Sequence, residues 1–210
     1  SRAPALAGFP RWAAHSRGVS SRRACIRTAS GPANPLPKMT PSSSNLADAL
    51  TEQASQRPDS TAVLWPGGSL DFRRLDILVW RVAAHLHGRG VREGDVVALT
   101  FANEVTLLVA MLAVARLGAT VFSVPAATGP LHAAQMTGEA KARVLATDLP
   151  DPPAAGEASL PRLQVDLPAI ARSSAPGDRS IRVAAPAAPW LLISGSGSTG
   201  RSKLIPSTHA

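Results

Sequence analysis

The sequence predicts an α/β fold in which helices cover a mostly parallel sheet. Two observations carry that expectation. Short runs rich in Val, Leu and Thr, at 95–100, 119–124 and 143–147, alternate with longer segments whose apolar residues recur at helical spacing. The chain has 210 residues, 45% of them apolar, which suits one compact domain or two small ones.

The first helix is expected from Asn45, in the stretch NLADALTEQASQ. Asn45 is a candidate N-cap, Asp48 sits in the first turn, and Ala47, Leu50 and Ala54 share one face. Arg57-Pro58 ends it. Thr61 to Trp65 and Ser69 to Phe72, joined by Pro66-Gly67-Gly68, read as a hairpin. A longer helix follows, because Leu75, Leu78, Val79, Val82 and Leu86 form one stripe while Arg74, Arg81 and His85 form another. Gly88 and Gly90 stop it. Asp95 to Thr100 then reads as a strand, 101–104 as a loop, Val105 to Leu117 as a helix closed by Gly118, and Ala119 to Val124 as a second strand. Leu131 to Lys141 and Arg143 to Thr147 repeat helix and strand. That rhythm implies parallel pairing. From Leu149 to Pro189 eight prolines recur among Ala, Ser and Gly, which prevents long helices; Leu163 to Leu167 reads there as a short strand between surface loops. Trp190 to Ser194 (WLLIS) supplies one more buried strand.

Charge and cysteine content narrow the class. The 22 Lys and Arg against 14 Asp and Glu give a net charge of +8, but residues 1–38 hold seven basic side chains and no acid. Residues 39–210 therefore carry 15 basic and 14 acidic side chains and form a nearly neutral domain. A nucleic-acid footprint needs its cations on the folded surface, so no nucleic-acid partner is expected. The segment 1–38 is a basic leader expected to be disordered, with the composition of a transit peptide or of translated upstream sequence. A cytoplasmic location is expected, or a mitochondrial one if the leader is a transit peptide. Cys25 alone makes no intramolecular disulfide, and none of the five histidines has zinc-ligand spacing. The apolar stretch Val105 to Ala115 is too short for a bilayer, so no membrane span is expected. His85, His87 and His132 have no partner acid at useful spacing and receive no role; Trp80 and Trp190 read as core.

The chemically informative segment is SGSGSTGRSKLIPSTH, Ser194 to His209, which begins at the end of the WLLIS strand. Three glycines and four hydroxyl side chains, followed by Arg201 and Lys203, make a loop whose backbone amides can converge on a phosphate. Gly195, Gly197 and Gly200 fit the dinucleotide fingerprint G-x-G-x-x-G, yet that fingerprint should open a helix and Pro206 lies six residues past the last glycine. Gly195 to Ser202 nearly fits the triphosphatase pattern G-x-x-x-x-G-K-[ST], with Arg201 in the lysine position. His209 reads as a residue that caps or opens the next helix.

A third pattern matches over a longer span. Ser196-Gly197-Ser198-Thr199-Gly200-Arg201-Ser202-Lys203 resembles the phosphate loop S-G-[ST]-T-G-x-P-K-G of the acyl-adenylate-forming superfamily, with Ser202 in place of the proline and Leu204 in place of the last glycine. The continuation Lys203-Leu204-Ile205-Pro206-Ser207-Thr208-His209 is most similar to the branch of aryl-acid AMP ligases, although an Arg often stands where Ser207 is. The resemblance extends upstream through Ser69–Asp76, Val82–Leu86, Gly94–Leu99, Phe101–Asn103 and Leu112–Val124. It implies that residues 39–210 are the N-terminal portion of an AMP-binding domain, the first part of an adenylate-forming ligase.

The resemblance further implies a reaction and a site. A carboxylate oxygen attacks the α-phosphorus of ATP, pyrophosphate leaves, and a thiol of CoA or a carrier protein opens the resulting anhydride. Ser196, Gly197, Ser198, Thr199 and Gly200 would wrap the β- and γ-phosphates, and Lys203 would offset charge on the pyrophosphate. The partners implied are a small-molecule carboxylic acid and ATP with Mg2+. The acyl pocket, the magnesium acid and the mobile C-terminal domain of family members lie beyond this loop. No catalytic residue and no metal ligand is therefore expected within the chain, which alone is expected to be inactive. Two other classes stay open: a dinucleotide-binding oxidoreductase domain, and a noncatalytic remnant of the ligase fold.

Overall fold

Local signals start the helices. In a computed structural model of the chain, which describes residues 45–150, 160–173, 188–195 and 203–209, helix α1 (Leu46–Gln56) begins where the Asn45 side chain accepts from the Ala47 amide. Strands β1 (Thr61–Trp65) and β2 (Gly68–Asp71) pair antiparallel as the expected hairpin. Phe72, expected in β2, instead opens α2 (Phe72–Gly88), because Asp71 caps the helix by accepting from the Arg74 amide. Asn103 does the same for α3 (Glu104–Arg116), accepting from the Thr106 amide. Gly118 follows that helix with φ of +69°, a conformation that L side chains rarely adopt.

The sheet has the predicted parallel character. Strands β3 (Val96–Thr100), β4 (Thr120–Ser123), β5 (Val144–Thr147), β6 (Arg162–Gln164) and β7 (Pro189–Gly195) run parallel, in the spatial order β6-β5-β3-β4-β7. Strand β8 (Lys203–Thr208) adds an antiparallel edge beside β7. Helix α4 (Pro130–Glu139) connects β4 to β5. Two expectations for the Pro-rich region are corrected. The strand is only Arg162–Gln164, and Leu167 opens a short helix, α5 (Leu167–Arg172). Asp166 caps it by accepting from the Ala169 amide, and Pro168 stands in its first turn, where a missing amide hydrogen does no harm. The basic leader, 1–38, lies outside the described residues.

Period-two alternation sends side chains to both faces of the sheet. Val97, Leu99, Val121 and Ala146 pack with α2, α3 and α5 in the larger apolar cluster, which also takes in Leu50 of α1. Ala98, Phe122, Val124 and Leu145 pack with Ala133 and Met136 of α4 in a smaller one. Among the described residues no helix is long and apolar enough to cross a membrane.

An ion pair is buried among α1, α2 and α3. Arg116, at the end of α3, is 4% exposed and lies 2.9 Å from the Asp76 carboxylate of α2. Its guanidinium also donates to the Ala47 carbonyl and to Thr51 Oγ1 of α1, and sits 4.3 Å from the centre of the Trp80 ring. Thr51 in turn donates to Asp76 at 2.9 Å. Removing one partner would strand the other charge. Asp76→Ala should therefore destabilise the chain by about 3–5 kcal/mol, whereas the paired change Asp76→Leu with Arg116→Met should lose far less. Urea denaturation of the three proteins checks this.

Candidate functional site

Parallel pairing puts the C-terminal ends of β3, β4, β5 and β7 on one edge of the sheet, where ligands of open α/β folds bind. Asp148, just past β5, organises part of this edge. Its two carboxylate oxygens accept from the amides of Ala102 at 2.8 Å and Asn103 at 3.1 Å, at the start of α3. An anion there also faces the positive end of the helix. Sequence reasoning gave Asp148 no role, since it carries no motif.

The glycine-rich segment leaves from the same edge. Residues 196–202 run between Gly195, the last residue of β7, and Lys203, the first of β8, and those two are partners in the antiparallel ladder. Ser196, Gly197, Ser198, Thr199 and Gly200, with Arg201 and Ser202, lie outside the described residues. Of the predicted site residues the structure thus places Lys203, exposed, with no carboxylate in ion-pair range among the described residues.

The element after the loop separates the three phosphate patterns. The dinucleotide and triphosphatase loops both open a helix, so that the helix N-terminus faces the phosphate. Here Lys203–Thr208 is a strand paired with β7. Pro206, opposite Leu192, sits in an edge strand, where a residue lacking its amide hydrogen is tolerated. Leu204, which departs from the resembling pattern, has a packing reason: with Leu192 it lies against the smaller apolar cluster.

The far end of β8 is anchored. The expectation that His209 caps or opens the next helix falls outside the described residues, which end at His209; its Nδ1 accepts from the Leu46 amide at the start of α1, at 3.3 Å. Its ring stacks on Trp190 with centroids 6.2 Å apart and planes 25° apart. Trp190 was expected in the core and is half-buried. Burial pushes the His209 ring below the usual histidine range, while nearby Asp48 pulls the other way. Burial raises the Asp48 carboxyl, partly offset by Arg116 and His209.

The signs of the two shifts are opposite. A lowered histidine stabilises the fold fully above its ordinary value near 6.5, and that contribution is lost as pH falls through the lower folded value. The raised Asp48 weakens the fold as pH climbs above the ordinary carboxylate range. Between about pH 7.5 and about pH 5 the wild-type urea midpoint should therefore fall relative to that of His209→Asn, which has no titrating ring.

The family model described as AMP-binding enzyme matches residues 50–210. The chain is 31% identical over 179 residues to the nonribosomal peptide synthetase aneB of Aspergillus aculeatus, a match covering 84% of this chain and 16% of that protein. It is 32% identical over 186 residues to a salicyl-AMP ligase / salicyl-S-ArCP synthetase of Mycobacterium tuberculosis, covering 76% of this chain and 32% of that one. The NpsA N-terminal subdomain of Klebsiella oxytoca, in complex with 3-hydroxybenzoyl-AMSN, shares the fold: TM-score 0.68 at 24% identity, over 79% of this chain and 41% of that one. The chain spans less than half the length of each of these relatives. With the match running from α1 through the glycine-rich loop and β8, the chain belongs to the AMP-binding enzyme family.

Proposed function

We propose that this chain contributes the phosphate-holding portion of an enzyme that activates a carboxylic acid with ATP, forming an acyl-AMP and releasing pyrophosphate. The observation that carries this reading is the antiparallel strand after the glycine-rich loop. It leaves the adenylate-forming pattern as the one that suits both the letters of 196–203 and the geometry on either side.

In this reading Ser196 to Gly200 hold the β- and γ-phosphates through amides and hydroxyls, and Lys203 offsets the charge that builds on pyrophosphate as the α-phosphorus is attacked. Lys203 suits that role because its ammonium is exposed beside the loop and engages no carboxylate among the described residues. None of these residues is assigned to Mg2+. The substrate class we favour is an aryl acid, on the run Lys203-Leu204-Ile205-Pro206 with Thr208-His209 and the salicyl-AMP ligase relative. As thiol acceptor we favour a carrier protein over CoA, because a peptide synthetase and a salicyl-S-ArCP synthetase are among the relatives.

ATP–pyrophosphate exchange with panels of aryl, amino and fatty acids tests the reading. Residues 39–210 alone should give no exchange, and the chain continued through the later parts present in its relatives should exchange with aryl acids. Exchange by the 210-residue chain alone, or none by the continued one with any acid, would overturn it. In the active form, Lys203→Ala should lower the exchange rate by about a hundredfold, the loss typical of removing one donor to developing charge.

A further inference from the structure

Within β8 one apolar side chain, Leu204, packs against a core cluster, so burial holds its register only weakly. The strand lies at the sheet edge, bonded along one side to β7. Burial of one face normally decides how a strand pairs, yet here Ile205 is 55% exposed and its partner Ile193 49%. Because side chains alternate, a slip of one residue would turn Lys203 to the opposite face of the sheet.

The restraint sits at the other end of the strand. Pro189 pairs with Thr208 and Leu191 with Ser207, so Trp190 is an extra residue in β7, a bulge. A bulge re-aims the side chain it carries, and the Trp190 ring meets His209. The Pro189 carbonyl, beside the bulge, accepts from Thr120 Oγ1 of β4 at 2.9 Å, which ties the bulge to the central sheet. His209 reaches across to the first amide of α1. That helix start is itself immobilised: Asn45 donates to the Ala115 carbonyl and Arg116 to the Ala47 carbonyl. Asp48 on α1, with Arg116 of α3 behind it, is the charged neighbour of the ring, and from β7 the ring meets Trp190.

We propose that His209, seated between the Leu46 amide and the Trp190 ring, is a positioning residue that fixes the register of β8 and so the place of Lys203 at the glycine-rich loop. The inference rests on the reading that this loop holds the phosphates of ATP. Six residue steps separate Lys203 from His209, about 20 Å of extended strand, so His209 acts through the backbone rather than on the nucleotide.

The test compares wild type, His209→Ala and His209→Asn in the complete enzyme, by ATP–pyrophosphate exchange and by hydrogen exchange of those β8 amides that bond to β7. An asparagine Oδ1 can accept from the Leu46 amide as Nδ1 does. His209→Ala should raise the KM for ATP about tenfold or more, leave the KM for the acid within about twofold, and speed amide exchange along β8. His209→Asn should restore both. A wild-type KM for ATP in His209→Ala overturns the proposal, as does a raised KM with unchanged amide exchange. If wild type itself fails to exchange pyrophosphate, the adenylation reading falls, and unchanged β8 amides in His209→Ala would then overturn the register assignment separately.

Discussion

The arrangement depends on a guanidinium taken out of water. Arg116 is worth burying only because Asp76, Thr51, the Ala47 carbonyl and the Trp80 ring all meet it, and those partners come from two other helices. Satisfying one cation thereby sets α1, α2 and α3 against each other. The start of α1 is placed by the same network, and that start is where the end of β8 is fastened.

Chemistry enters through topology. Each strand of the central sheet delivers its next segment to the same edge, and the segment after β7 is the one rich in glycine and hydroxyls. A loop of that composition can close on phosphate in several folds. The element after it decides which kind of site forms, because a helix offers its N-terminal amides whereas a strand offers an alternating row of side chains beginning with Lys203.

Periodicity and caps were legible where they acted locally. Asn45, the stripe from Leu75 to Leu86, and the strand–helix rhythm from Val96 to Thr147 all lie in the structure close to where the sequence put them. Misreadings came where distant partners decide. Arg116 closes an apolar run, and nothing local reveals Asp76 or Trp80 beside it. The density of prolines hid α5, whose Pro168 falls in the one turn of a helix that accepts it. Strand β8 was masked by Pro206 and by its place inside a recognisable motif, and the partners of His209 lie at the opposite end of the sequence. Of the candidate site, the glycine-rich letters were read directly; their hairpin setting emerged only from pairing with β7.

The two faces of the sheet are unequally furnished. Among the described residues, three long helices and α5 back one side, while α4 and a few side chains, including Leu192 and Leu204 of the terminal hairpin, cover the other. Lightly covered elements open first. On warming, the terminal hairpin and α4 would fray while the three-helix side stayed intact, so the proposed phosphate site would be lost before the domain melts.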